Sequence, residues 1–210
     1  TGNNGAQTVT GVGFQPDWVW IKDRDGTERH CLTDSVRGVL KELRSNETAA
    51  ESDRSAGDSG VAGVSAFNSD GFVLVHDDGY NDNNSLQVSW NWRAGTAFSN
   101  DASSTGVGST DAGFSIVSWT GTGSNGTIAH GLGSVPKMII IKDRSNTRNW
   151  QVYHVGYGNS GSGQLNLTAA FSADGMFQST DPTSTVFSVG TSVNANASSA
   201  NIIAYCFADV

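Results

Sequence analysis

The chain has 210 residues, of which only 15% are charged and 26 are glycine, and its net charge is −8. Globular domains usually carry ~25% charged residues, so here Ser, Thr, Asn and Gly must supply the polar surface, which suits short strands joined by many turns. The acidic balance argues against a nucleic-acid or anionic-membrane partner, since both need clustered Lys and Arg, and no apolar run approaches the ~20 residues of a spanning helix.

The first element to emerge is a repeat. Gly11-Val-Gly-Phe-Gln-Pro-Asp-Trp-Val-Trp-Ile-Lys-Asp-Arg24 returns as Gly131-Leu-Gly-Ser-Val-Pro-Lys-Met-Ile-Ile-Ile-Lys-Asp-Arg144, 120 residues later. A fixed offset marks one structural unit present twice. Repeat one spans 1–95 and repeat two 113–210, with 96–112 read as a Ser/Gly/Asp-rich linker or exposed loop. Phe114-Ser-Ile-Val-Ser-Trp119 is a strand-like run ahead of repeat two, and repeat one starts where its counterpart of that run would end. The sequence therefore reads as part of a longer polypeptide or a trimmed mature form.

In chain order, Trp18, Trp20 and Lys22 alternate with Val19 and Ile21 as a strand. Phe67-Asn-Ser-Asp-Gly71 matches Phe171-Ser-Ala-Asp-Gly175 at an offset of 104, which places a 16-residue insertion in repeat one, within 35–60. Its first part, Val36–Arg44, predicts a short helix with Val36, Leu40 and Leu43 on one face. Asp70-Gly71 and Asp174-Gly175 read as hairpin turns. Leu86, Val88, Trp90 and Trp92 alternate with Gln87, Ser89, Asn91 and Arg93, the pattern of a strand burying its apolar face. The fold expected is all-β, an antiparallel sandwich of jelly-roll or concanavalin-like type built from two related repeats.

The candidate sites are few. The tryptophans are expected to pack in the core, except Trp150, whose Thr147-Arg-Asn-Trp150 turn suggests exposure. Trp150, Tyr153 and Tyr157 are therefore the candidate glycan-stacking residues. The Lys-Asp-Arg triplets 22–24 and 142–144 end strands and suit turn caps and local salt bridges. His30, His76, His130 and His154 lack metal-ligand spacing. The Asp77–Asn84 run is oxygen-rich but lacks the Glu of a calcium loop, and reads as a solvated turn. No Gly-x-Ser-x-Gly elbow or Cys–His pairing appears, and no pair among Asp70, Asp77, Asp78 and Asp82 is singled out as glycosidase carboxylates. Asn-x-Ser/Thr sequons occur at Asn46, Asn83, Asn125, Asn166 and Asn196. Cys31 and Cys206 are too few for a disulfide framework. Cys206, in an apolar run, reads as a buried thiol, with a Cys31–Cys206 bridge as the alternative. Neither catalytic residues nor a cofactor are expected.

The opening motifs, with Asp34-Ser-Val-Arg-Gly38, Ser45-Asn-Glu-Thr-Ala-Ala-Glu51, Trp150-Gln-Val-Tyr-His154, Pro182–Phe187 and Ile203–Phe207, resemble paired modules in structural proteins of tailed bacteriophages, particularly marine ones. The resemblance covers nearly the whole chain. Asn91 departs from the pattern, which often has Cys there. The resemblance implies a β-sandwich at the virion surface, in tail fibres, receptor-binding proteins or capsid decorations, often beside laminin-G-like or concanavalin-like domains. The expected function is thus a non-enzymatic module for host attachment or appendage assembly. Its expected partners are other virion or filament proteins, further copies of itself and a host-surface glycan. The alternatives are a carbohydrate-binding lectin domain on a cell surface or matrix, or a repeating subunit of an extracellular filament.

Overall fold

The computed structural model describes residues 1–56, 61–76, 78–100 and 104–209. Two compact units emerge, one formed by Thr1–Glu47 and Glu51–Arg93, the other by Thr48–Ala50 and Ala94–Val210.

The first unit is a two-layer antiparallel sandwich. Its larger sheet runs β5-β4-β3-β2-β8, where β2 is Trp18–Asp23, β3 Cys31–Asp34, β4 Lys41–Arg44, β5 Ser52–Asp53 and β8 Gln87–Trp92. The smaller sheet runs β1-β7-β6, from β1 (Gln7–Thr10), β6 (Gly63–Asn68) and β7 (Gly71–Val75). Between them Val19, Ile21, Cys31, Val64, Phe72, Leu74 and Tyr80 form the core. One helical turn, α1 (Asp78–Asn81), leads into β8. The all-β antiparallel class is as the sequence predicts.

The second unit repeats this plan and extends it. An eight-stranded sheet runs β16-β15-β14-β13-β18-β11-β10-β9, comprising β9 (Thr96–Asn100), β10 (Ser104–Ser109), β11 (Phe114–Thr120), β13 (Met138–Asp143), β14 (Gln151–His154), β15 (Gly161–Gln164), β16 (Ser172–Ala173) and β18 (Asn201–Phe207). A two-stranded sheet pairs β12 (Gly126–Ala129) with β17 (Val186–Val189). The turn α2 (Val193–Asn196) corresponds to α1. The order β16-β15-β14-β13-β18 mirrors β5-β4-β3-β2-β8 strand for strand, so the doubling read from one motif extends through the sheet.

Several expectations change. The segment 96–112 is not a linker or exposed loop in its described part. Thr96–Asn100 and Ser104–Ser109 pair with each other, and β10 pairs with β11. Residues 36–44 form no helix, because Leu40 adopts φ +61° and Lys41–Arg44 extend to pair with β3. Nor is the insertion one of 16 residues, and none of it falls before β5. Lys41 pairs with Asp53 as Gly161 pairs with Ala173, so the offset of 120 holds through β5. Phe72 lies opposite Val9 as Phe187 lies opposite Ile128, and the offset is then 115. The difference of five residues falls between β5 and β7, where the first unit has β6. The match of Phe67–Gly71 to Phe171–Gly175 is therefore a likeness of composition only. Asp70-Gly71 does turn the β6–β7 hairpin, whereas Asp174-Gly175 follows β16 and closes none. Residues 57–60 and 101–103 of these segments lie outside the described residues.

The strand at 87–92 exists, but its polarity is reversed. Asn91 and Ser89 lie opposite the core residues Val19 and Ile21, while Trp92 and Trp90 lie opposite Trp18 and Trp20. Side chains opposite each other in a sheet share a face. Gln87, Ser89 and Asn91 therefore face the sandwich core, and the tryptophans line the other face. Trp18 and Trp92 stack at 4.4 Å, Trp20 meets Trp90 edge-on at 6.2 Å, and Trp90 remains 48% exposed.

Candidate functional site

Most buried polar side chains hold the turns, and they do so in matching pairs. Asp23 Oδ1 accepts from the backbone N–H groups of Asp25 and Gly26, and Asp143 Oδ1 does the same for Ser145 and Asn146. The expected salt bridge of the second triplet forms with Arg148, 3.2 Å from Asp143, while Arg144 donates to Ser118. Asn46 and Asn166 cap the entry to the following strands, accepting from His30 N and Trp150 N.

Asn81 and Asn196 anchor the chain ahead of β1 and β12. Asn81 Nδ2 donates to Asn3 Oδ1 and Gly5 O, and its Oδ1 accepts from Asn3 N. Asn196 repeats this with Thr122 and Ser124 and adds a bond to Gly190 O. These asparagines were missed in the sequence. The signal that could have found them is the four-residue turn preceding the last strand of each repeat.

Lys142 is fully buried, and its Nζ donates to the carbonyls of Thr48, Asn146 and Arg148 at 3.0–3.3 Å. Burial drives its pKa down to about 8, against the pull of Asp143. Lys22 Nζ likewise donates to loop carbonyls, those of Asp23 and of Gly26, the counterpart of Asn146. Each ammonium thus serves as a hub for loop carbonyls. His130 is held neutral by burial; its Nδ1 accepts from Leu132 N, so Nε2 carries the proton and donates to Thr183 O. Cys31 and Cys206 are free and buried, and desolvation raises both thiols, Cys206 to about 12. A thiol so placed is a packing group, since nucleophilicity requires the thiolate.

The stacking candidates are not brought together as expected. Trp150 is 0% exposed and Tyr153 2%, Trp150 lying against Tyr205 and Tyr153 edge-on to Phe177. The turn 147–149 leads straight into β14, so Trp150 enters the sheet and cannot offer a face to a sugar. Tyr157 alone is exposed, at 41%, with its ring 5.3 Å from Phe171. Asp77 lies outside the described residues. Among the described residues no three His, Cys, Asp or Glu side chains converge as metal ligands, and no helix is long and apolar enough to cross a membrane.

One concavity stands out in the first unit. It measures about 190 Å³ and is lined from both sheets by Gln7, Val9, Ile21, Phe72, Leu74 and Gln87. Both amide atoms of Gln87 and the Oε1 of Gln7 are buried there without a hydrogen-bond partner. Buried polar atoms are rarely left so, so this concavity presents unmet hydrogen-bonding capacity among the described residues.

These features define an all-β protein made by duplication of a sandwich unit whose conserved-in-place polar groups tie turns. The chain belongs to a family of domains of unknown function, DUF7483, whose profile matches residues 1–210. No curated protein and no solved structure matches it.

Proposed function

We propose that this chain is a non-enzymatic module of a tailed-phage virion, placed at the particle surface or in a tail fibre, where it contributes to host attachment or appendage assembly. The observation that carries this reading is the doubled sandwich with its polar side chains committed, pair by pair, to holding turns. Lys142, His130 and Asp143 are each committed to loop backbone, and both cysteines are packed in the cores, as a display scaffold requires. The resemblance of the opening motifs to phage structural modules supports the same setting. Fibre proteins gain avidity by presenting many weak sites together, so the working form is a homo-oligomer alongside other virion proteins. Mass spectrometry of purified particles from the encoding phage tests this. The chain is expected among the particle proteins, and its consistent absence would overturn the reading.

A carbohydrate-binding role is the second reading, and it is favoured by exposed aromatic surface at Tyr157 and Trp90. A glycan array tests it. Hits that vanish in Tyr157→Ala or Trp90→Ala would carry it, and an array without hits would remove it.

A further inference from the structure

Each repeat carries the same two devices, a lysine hub and a loop that fits it, and the second unit shows one such pair engaged. Lys142 Nζ and the Arg148 N–H both donate to the carbonyl of Thr48, at 3.1 and 2.9 Å. The turn of the first repeat is built alike. Asp23 ties it as Asp143 does, and Lys22 Nζ donates to Gly26 O as Lys142 Nζ does to Asn146 O. Glu28 is there the counterpart of Arg148. Among the described residues, neither the Glu28 N–H nor a third Lys22 proton meets an acceptor.

The second device is the loop that supplies Thr48. Asn46-Glu-Thr-Ala-Ala50 returns at the offset of 120 as Asn166-Leu-Thr-Ala-Ala170, and both loops are rooted in the same way. Asn46 accepts from His30 N while Glu47 N donates to Arg44 O, and Asn166 accepts from Trp150 N while Leu167 N donates to Gln164 O. Thr48–Ala50 are incorporated in the second unit. Thr168, Ala169 and Ala170 are all exposed, and the Thr168 carbonyl accepts from no described group. Small residues kept in both copies, although exposed in the second, suit a loop that must approach another backbone closely. Its flanks are apolar where those of the first loop are charged, Leu167 standing for Glu47 and Phe171 for Glu51. Leu167 is 48% exposed, and the exposed Tyr157 lies against Phe171. Apolar groups gathered at the surface around one loop mark an interaction site.

We propose that Thr168–Ala170 dock on the Lys22–Glu28 turn of a second copy of this chain, with Thr168 O accepting from Lys22 Nζ and Glu28 N. The partner is set by the second unit, where the same kind of loop is already seated on the same kind of turn. Both surfaces lie on segments interior to the chain and are fully built within it. Charge agrees with the choice of loop, since Glu28 beside Glu47 would repel and beside Leu167 does not. Loop and hub are different surfaces, so the contact is heterologous and propagates head to tail into a ring or a filament. It rests on the homo-oligomer of the assembly reading for its setting, and the two fail separately. Absence from virions leaves self-association untouched, and a strictly monomeric chain removes this contact while leaving the chain's place in the particle standing.

Sedimentation velocity of the purified chain over a wide range of concentration tests the contact. The mean sedimentation coefficient is expected to rise with concentration. Lys22→Met should weaken association about tenfold or more, the scale of a lost hydrogen bond to a charged group. Ala169→Glu, at an exposed position, should weaken it as far by blocking the approach. Mixed in equal amounts, the two folded variants should form a heterodimer that grows no further, because each retains the surface that the other has lost. If Lys22→Met misfolds, Ala169→Glu decides the matter by itself. A chain monomeric at every concentration, association unchanged in Ala169→Glu, or a mixture of folded variants no more associated than its components would each overturn the proposal.

Discussion

Arg37 and Glu51 meet at 3.3 Å in the first unit at the positions that Tyr157 and Phe171 take in the second, where the two rings lie 5.3 Å apart. An ion pair and an aromatic pair therefore close the same loop over the same strands. The ionic version is the more deeply committed of the two. The Arg37 guanidinium also holds the buried Asp34 carboxylate and donates to Leu32 O and Lys41 O. Arg37→Met should cost about 3–5 kcal/mol, the usual penalty when one member of a buried pair is removed and the other is left uncompensated. Urea titration measures it. Tyr157→Ala, at a largely exposed ring, should cost far less.

Asn196 is buried and makes four hydrogen bonds through its amide. Its replacement by Ala strands the buried Gly190 carbonyl and frees the Thr122 N–H, while the Ser124 carbonyl keeps the Thr122 hydroxyl as donor. A loss of about 2–3 kcal/mol is expected, given a penalty of roughly 1–3 kcal/mol for each buried group left unsatisfied. Asn81→Ala should do the same in the first unit. Chemical denaturation of both variants checks the pair, and an effect at one position only would break their equivalence.

Lys142 predicts a pH dependence of definite sign. Its pKa is about 8 when folded and about 10.5 in an ordinary lysine. Between those values the unfolded chain binds the extra proton, so stability rises with pH across pH 8–10.5, and the burial penalty is fully present below pH 8. The stability difference between the wild type and Lys142→Met should shift toward the wild type by up to about 3 kcal/mol over that window. Other groups that titrate in the unfolded chain over this window are common to both proteins and cancel. A difference flat in pH would show that Lys142 is solvated.

Trp150→Ala tests the correction to the glycan candidates. Deleting a fully buried tryptophan should cost about 3–5 kcal/mol, so any loss of sugar binding in that variant would arise from destabilisation. Thermal unfolding separates this from Trp90→Ala, whose exposed ring should leave the melting temperature nearly unchanged.

How much was legible follows from which signals are local. The Gly/Pro/Lys-Asp-Arg motif recurs because each copy builds the same strand and the same capped turn, so the repeat and the antiparallel class could be read directly. The turn-cap reading of Asp23 and Asp143 holds for the same reason. The alternation at 87–92 identified a strand but not its inner face, because the usual rule that apolar residues point inward fails where Gln87, Ser89 and Asn91 face a cavity. Offset counting misplaced the insertion, since Phe-x-x-Asp-Gly occurs twice by composition while strand pairing joins Ser52 to Glu42 and Ser172 to Ser162. The cavity itself is defined by strands distant in sequence, and no local pattern signals it.

Cys31 and Cys206 sit in two different cores, one in each unit, and neither is bridged. No covalent crosslink is required for either interior to close. Each interior thus closes by packing alone, with its sulfhydryl group shielded by the hydrocarbon around it.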